Sequence, residues 1–224
     1  MSNETVLYDY WRSSASYRVR IALNSLGIAY RTVPVDLLDG EHKAATHLRR
    51  NPQGLVPALE IDGLMMTQSL AIIEYLAETR GGSGLLPEDA PGRQRVRALA
   101  YAIAMDIHPI CNLGVVGHVM ELTAGDDVAR RAWMRKFIGE GLLAVDRMLD
   151  DPRTGVFCHG DSPTMADMCL VPQVYNAERW GVDLSALGRV RRVVDLCNER
   201  TAFRDGHPDR VKLQSARDVP FCGE

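Results

Sequence analysis

The chain has 224 residues, 46% hydrophobic and 25% charged, a composition that can bury a core and that excludes both a single-helix module and an intrinsically disordered chain. Its 26 Lys and Arg against 29 Asp and Glu leave a formal charge of -3, so no global positive field exists to hold a polyanion, and no nucleic-acid partner is expected. No run approaches the ~18 consecutive apolar residues of a membrane span, and the start, Met1-Ser2-Asn3-Glu4-Thr5, carries an acid where a secretory leader would be basic; a cytoplasmic protein with no membrane partner is expected.

Val6 to Tyr10 predicts a short strand. After it, Val19, Ala22, Leu23 and Leu26 follow the i, i+3, i+4, i+7 spacing of an amphipathic helix, with Gly27 as its left-handed stop. A second strand, Tyr30 to Val35, completes a β-α-β unit. Asp36 to Asn51 is charged and ambiguous, with a turn at Asp39-Gly40. From Asn51 to Met66 the chain reads as turn, strand, Asp62-Gly63 hairpin and strand. Pro57 cannot donate to a ladder and marks where that pairing begins. Ser69 is expected to cap a helix through Ile72, Ile73 and Leu76. The order β-α-β then β-β-α is the thioredoxin-like arrangement.

Gly81-Gly82-Ser83-Gly84 with Pro87, Pro91 and Gly92 is the clearest boundary, giving domains over residues 1–84 and 92–224. The second is all helical by periodicity: Val96, Leu99, Ile103 and Ile107 line a long helix that Pro109 ends or kinks. Further helices are predicted over Val128 to Leu149, Thr164 to Trp180 and Leu187 to Phe203, and Thr164-Met165-Ala166-Asp167 forms a capping box. Five cysteines, Cys111, Cys158, Cys169, Cys197 and Cys222, are odd in number and contain no Cys-x-x-Cys pair, so neither a disulfide framework nor a metal site is written here. A thioredoxin-like disulfide oxidoreductase is excluded because the helix start from Arg12 to Ser16 contains no cysteine.

Chemistry concentrates at Arg12-Ser13-Ser14-Ala15-Ser16, where hydroxyls and unpaired N–H groups open a helix that follows a strand. Such an end caps the helix or holds an anion, and the residues alone leave both readings open. Gln68-Ser69 repeats the same ambiguity at a second helix start.

Ser-Ser-Ala-Ser-Tyr-Arg-Val-Arg-Ile-Ala-Leu from Ser13 to Leu23 closely resembles the Ser-Ser-Cys-Ser-x-Arg-Val-Arg-Ile-Ala-Leu signature of zeta-class glutathione transferases, the family that includes maleylacetoacetate isomerase. The likeness continues through Asn51-Pro52, Val56-Pro57, Ile61-Asp62-Gly63, Gln68 to Leu76, Met165-Ala166-Asp167, Leu170 to Val174 and Asn176 to Arg179. It implies a glutathione transferase fold: an α/β thioredoxin-like N-terminal domain that binds glutathione and an all-α C-terminal domain that completes a pocket for a second substrate. It implies further that Ser13, backed by Ser14, stabilises the glutathione thiolate. Val56 offers backbone bonds to the cysteinyl part with Pro57 cis, and Gln68 and Ser69 hold the γ-glutamyl carboxylate. His42, His108 and Asn112 match positions near glutathione, Arg12 and Arg179 match the arginines for a carboxylate-bearing substrate, and the family pairs as homodimers. Arg18 and Arg20 are expected to hold the fold together.

The implied activity is cis-trans isomerisation of a maleyl-type cis-enedione acid, with maleylacetoacetate in aromatic amino-acid breakdown first. Maleylpyruvate isomerisation, conjugation of α-halo acids and a non-catalytic glutathione-binding scaffold are the alternatives. Lowering a thiol pKa from ~8.5 to ~6.5 takes about 2.7 kcal/mol, and a charge-assisted hydroxyl bond of ~1.5–3 kcal/mol plus ~0.3–1 from a helix start suffices. Two departures stand out. Ala15 replaces the motif's cysteine, which disfavours reductive dehalogenation, and Leu113-Gly114 stand where some bacterial isomerases place an arginine after Asn112, so the substrate's distal end has to be held differently.

Overall fold

The computed structural model describes residues 4–82 and 84–217, with side chains of the last helix described through Lys212. Met1, Ser2, Asn3, Ser83 and Cys222 therefore lie outside the described residues. Packing divides the chain into two compact units, Met1–Ser83 with Asn198–Glu224, and Gly84–Cys197.

In the first unit β1 (Val6–Asp9) leads into α1 (Ser14–Ser25), and β2 (Arg31–Pro34) returns parallel to β1. The helix stops where the sequence predicts, with Gly27 at φ 64 and the Ile28 N–H on the Leu23 carbonyl at 3.0 Å. The ambiguous segment resolves into a 3-10 turn (Glu41–Lys43) and a single-turn helix, α2 (Ala45–Leu48). The hairpin follows as β3 (Ala58–Ile61) and β4 (Leu64–Thr67), turned by Asp62 and Gly63 at φ 55 and 76, the left-handed pair that a two-residue hairpin needs. β3 is antiparallel to both β1 and β4, so the sheet runs β2-β1-β3-β4. It carries α3 (Ser69–Thr79), and Leu7, Leu23, Leu59, Ile72, Ile73 and Leu76 are sealed from solvent.

Register decides where the ends meet. Tyr8 pairs with Ala58, and Ala58 pairs with Thr67, so the exit of β1, the entry of β3 and the exit of β4 share one edge of the sheet. The segments Arg12 to Ser14, Val56-Pro57 and Gln68-Ser69 are thereby delivered to one place by strand direction alone.

The second unit is helical. α4 (Ala90–Tyr101) opens into a π-helical stretch, Ala102–Ile107, and a 3-10 turn, Pro109–Cys111, before α5 (Leu113–Thr123), α6 (Asp127–Met148), α7 (Met165–Arg179) and α8 (Gly188–Asn198). The disruption that Pro109 imposes is thus spread over the preceding turn: the His108 N–H reaches back five residues to the Ile103 carbonyl at 2.9 Å, the wider bond of a π turn. The capping box forms as expected, with Asp167 fully buried and accepting from the Thr164 N–H at 2.8 Å and from the Cys158 N–H at 2.8 Å. Among the described residues no single helix is long and apolar enough to cross a membrane, and no group of three metal-ligating side chains occurs.

Two expectations need correction. The helix read from Leu187 to Phe203 is broken at Asn198, and α9 (Thr201–Asp205) starts afresh, followed by α10 (Pro208–Arg217). The reason is that the apolar stripe changes core. Val190, Val193, Val194 and Cys197 are buried in the helical unit, whereas the Phe203 carbonyl accepts the Tyr17 hydroxyl of α1 at 3.1 Å, and one straight helix does not serve both. The second correction concerns Ser69, which is the first helical residue of α3 and not its cap. Gln68 occupies the cap position at φ 68, with no side-chain bond to the helix.

Candidate active site

The turn between β1 and α1 is built by its own backbone and by Arg20. The Ser13 N–H closes on the Tyr10 carbonyl at 2.8 Å. Ser13 caps α1 through Oγ, which accepts the Ser16 N–H at 3.2 Å. That bond uses a lone pair of the hydroxyl and leaves its proton available for donation. Ser14 is buried on the first turn, and Ala15 beside it is half-buried. Arg20, fully buried, binds both oxygens of Asp9 at 2.8 and 2.6 Å, the Gly206 carbonyl at 2.8 Å and the Trp11 carbonyl at 2.9 Å. The expectation that Arg20 is structural is met, and its bond to Trp11 fixes the loop carrying the serines.

Arg12 is half-buried, with its guanidinium 5.3 Å from the Trp11 ring centroid and 5.9 Å from that of Tyr10. Among the described residues it makes no hydrogen bond or ion pair, so its fork remains open to a carboxylate.

At the neighbouring strand entry, the Val56–Pro57 peptide bond is cis, and both residues are buried. The Leu55 carbonyl just before them accepts two bonds, from Asn51 Nδ2 at 2.9 Å and from the His47 ring at 2.9 Å. Sequence reasoning missed His47, since a lone histidine in a charged segment carries no motif. His42 sits one turn earlier and is half-buried; burial first, then Lys43 and His47, lowers its pKa below the ordinary histidine value. A neutral ring at physiological pH follows.

The third segment opens α3. Because Gln68 provides no side-chain cap, the N–H groups of Ser69, Leu70 and Ala71 have no acceptor among the described residues, and the first helical bond is Ile72 N–H to the Gln68 carbonyl at 3.0 Å. A helix start left open in this way suits an anion. The Ser69 hydroxyl accepts from Arg18 at 3.2 Å, tying α3 to α1, and the Gln68 amide donates to Gln53 at 2.7 Å. Arg18 is therefore structural, as expected.

In the helical unit, His108 is half-buried between the π turn and Pro109. Asn112 caps α5, its Oδ1 accepting the Gly114 N–H at 2.9 Å. Arg179, the last residue of α7, is exposed and stacks 5.9 Å from the Tyr175 ring centroid. It lines a pocket of about 250 Å³ with Asp127, Arg130, Arg131 and Trp180. Cys111, on the 3-10 turn, has its thiol pKa pushed up to about 11 by burial. At pH 7.5 it should alkylate about a hundredfold more slowly than a thiol of ordinary pKa, which mass mapping of the iodoacetamide-treated Cys111 peptide checks.

Residues 4–78 match the family described as glutathione S-transferase, N-terminal domain. The maleylacetoacetate isomerase of Rhizobium meliloti (strain 1021) is 68% identical over 212 residues, covering 95% of this chain and all of that protein. A holo maleyl pyruvate isomerase, described as a bacterial zeta-class glutathione S-transferase, superposes with a TM-score of 0.89 at 43% identity, over 92% of this chain and 97% of its own. The maleylacetoacetate isomerase of Anaeromyxobacter dehalogenans 2CP-1, with dicarboxyethyl glutathione and citrate in its active site, gives 0.82 at 42% identity, over 92% of both chains. These likenesses agree with the thioredoxin-like sheet and the helical unit. The chain belongs to the maleylacetoacetate isomerase family of zeta-class glutathione transferases.

Proposed function

We propose that this protein is a glutathione-dependent cis-trans isomerase that converts maleylacetoacetate to fumarylacetoacetate in phenylalanine and tyrosine breakdown, working as a cytoplasmic homodimer. The observation that carries the reading is the shared sheet edge, where Ser13 keeps a donor proton on one helix start while α3 keeps three N–H groups without acceptors among the described residues at another. One end suits a thiolate and the other a carboxylate, and glutathione has both.

In this reading residues 1–84 form the glutathione-binding domain and residues 92–224 complete the pocket for the acid. When bound, glutathione supplies a thiolate whose reversible addition to the cis double bond permits rotation before elimination returns it unchanged. Ser13 holds that sulfur as an anion, with Ser14 beside it, and Val56 aligns the peptide. Gln68 and the start of α3, with Ser69, hold the γ-glutamyl carboxylate. By the family likeness His42, His108 and Asn112 are assigned to the glutathione side, and the lowered pKa of His42 suits a ring without charge there. Arg12 and Arg179 bind carboxylates of the cis-enedione acid, which their planar forks do bidentately. The dicarboxyethyl glutathione in the Anaeromyxobacter relative supports a dicarboxylate-type substrate. The maleyl pyruvate isomerase likeness keeps that acid as the second reading, since the same machinery serves both.

Product analysis tests the proposal. With maleylacetoacetate and substoichiometric glutathione, the trans acid should accumulate through many turnovers while free glutathione stays constant. Glutathione consumed one for one would make the protein a conjugating transferase, and neither change would make it a scaffold. A parallel assay with maleylpyruvate ranks the two acids by kcat/KM. Light scattering at micromolar concentration should give twice the chain mass, and a monomer there would refute the dimer.

A further inference from the structure

In the proposed reading glutathione is met by the backbone of Val56, and the peptide group before that residue decides where its N–H points. A trans peptide is planar, with carbonyl and N–H directed oppositely. The Leu55–Val56 bond is trans, the neighbouring Val56–Pro57 bond being the cis one, so the direction of the Leu55 carbonyl fixes that of the Val56 N–H. This N–H has no acceptor among the described residues, and β3 pairs with its neighbours only from Ala58 onward. An aimed and unused donor thus stands at the sheet edge that also carries Ser13 and the start of α3.

Two side chains hold the Leu55 carbonyl where one would satisfy it. Asn51 Nδ2 and His47 Nε2 both lie 2.9 Å from it, and both residues are 2% exposed. Their spacing is set by the chain, since the Asn51 N–H closes on the His47 carbonyl at 2.9 Å. Asn51 is constrained further: its Oδ1 accepts the Gln53 N–H at 3.1 Å, which leaves Nδ2 as the end that faces Leu55. A carbonyl only accepts, so Nε2 of His47 carries the proton and Nδ1 is a bare acceptor. That Nδ1 is withdrawn from water and has no partner among the described residues, a penalty that an apolar side chain of similar size would avoid. What the histidine adds is the second bond, and two donors on one oxygen stop the peptide plane from turning in a way that a single donor does not.

We infer that His47 is a positioning residue for glutathione: it locks the Leu55–Val56 peptide so that the Val56 N–H is presented to the cysteinyl part of the tripeptide. The inference rests on the glutathione reading for the identity of the ligand. Its effect falls on affinity for glutathione and not on the chemistry at sulfur, because the thiolate is assigned to Ser13 on a different segment.

The test uses the full chain with isotope-labelled valine, S-methylglutathione as a non-reacting probe, and the variants His47→Phe, His47→Leu and His47→Gln. Phenylalanine and leucine fill the site without a donor, in two sizes in case one packs badly, and glutamine restores a donor. By calorimetry, Kd for the probe should rise about five- to tenfold in the first two variants, as for the loss of one well-placed hydrogen bond, and stay within about twofold of the wild type in the third. KM for glutathione should follow Kd, while kcat at saturating glutathione, KM for the maleyl acid and the pKa of the bound thiol stay unchanged, a split that a general loss of structure would not produce. In the free protein the Val56 amide signal should be sharp in the wild type and in His47→Gln, and broadened by exchange in the other two. An unchanged Kd in both donorless variants, or an equal rise in His47→Gln, would overturn the inference. If the wild type bound no S-methylglutathione, the glutathione reading would fail by itself. The lock would then be judged on the free protein alone: a Val56 amide broadened when the donor is lost supports it, and one left sharp refutes it.

Discussion

Arg20→Met should lower the free energy of unfolding by about 3–5 kcal/mol, the usual cost of stranding one member of a buried ion pair. Asp9 is 1% exposed and Arg20 is 0% exposed, so the carboxylate left behind has neither counter-charge nor water. Two carbonyls lose their donor as well, at Gly206 and Trp11, each worth about 1–3 kcal/mol if left bare. Asp9→Leu combined with Arg20→Met should recover the part due to the carboxylate and not the part due to the carbonyls. Chemical denaturation of the two single variants and the double closes the cycle. A loss below about 1 kcal/mol for Arg20→Met would mean that water reaches the pair. The effect reaches function through Trp11: without Arg20 the Trp11 carbonyl loses the side-chain donor that ties the loop before Ser13 to α1, so the thiolate donor should lose position before the fold is lost.

The parts of this architecture that sequence discloses are those with local signals. Ser13 and Gly27 bracket α1 because capping and left-handed stops are decided within a few residues, and Asp62-Gly63 turns the hairpin for the same reason. Strand direction then brings three segments to one sheet edge, which follows from element order once β3 is known to pair with β1. Partners far along the chain are not legible in this way. Arg20 is expected to hold the fold together, but nothing in the sequence names its partners, and Gly206, which accepts from it, is 186 residues away. Gln68 has no composition signal for its φ of 68, and Ser69, the better cap by type, is displaced one position. The break between α8 and α9 reflects a change of core, and periodicity runs through it undisturbed.

Ser13→Ala is expected to raise the pKa of enzyme-bound glutathione by about one to two, from the ~1.5–3 kcal/mol of a charge-assisted hydroxyl bond at 1.36 kcal/mol for each. The rate at pH 7 should then fall roughly ten- to a hundredfold and recover in part at high pH, where the thiol ionises unaided. Affinity for glutathione should survive, because its carboxylate is assigned to the start of α3. The cap complicates this variant, since Ser13 Oγ also accepts the Ser16 N–H and a lost cap costs ~0.5–2 kcal/mol of stability by itself. Ser13→Gly separates the two roles: glycine at the cap position costs only a few tenths of a kcal/mol but supplies no hydroxyl. If the hydroxyl is the donor, both variants should shift the thiol alike while only alanine weakens the fold appreciably. Ser14→Ala should do less than either, and a larger effect there would move the donor role one residue along. Ultraviolet titration of the bound thiolate reads all four proteins directly. A thiol pKa unmoved in every variant would assign the stabilisation to the α1 backbone, where the Ala15 N–H has no acceptor among the described residues, and would leave Ser13 a cap alone.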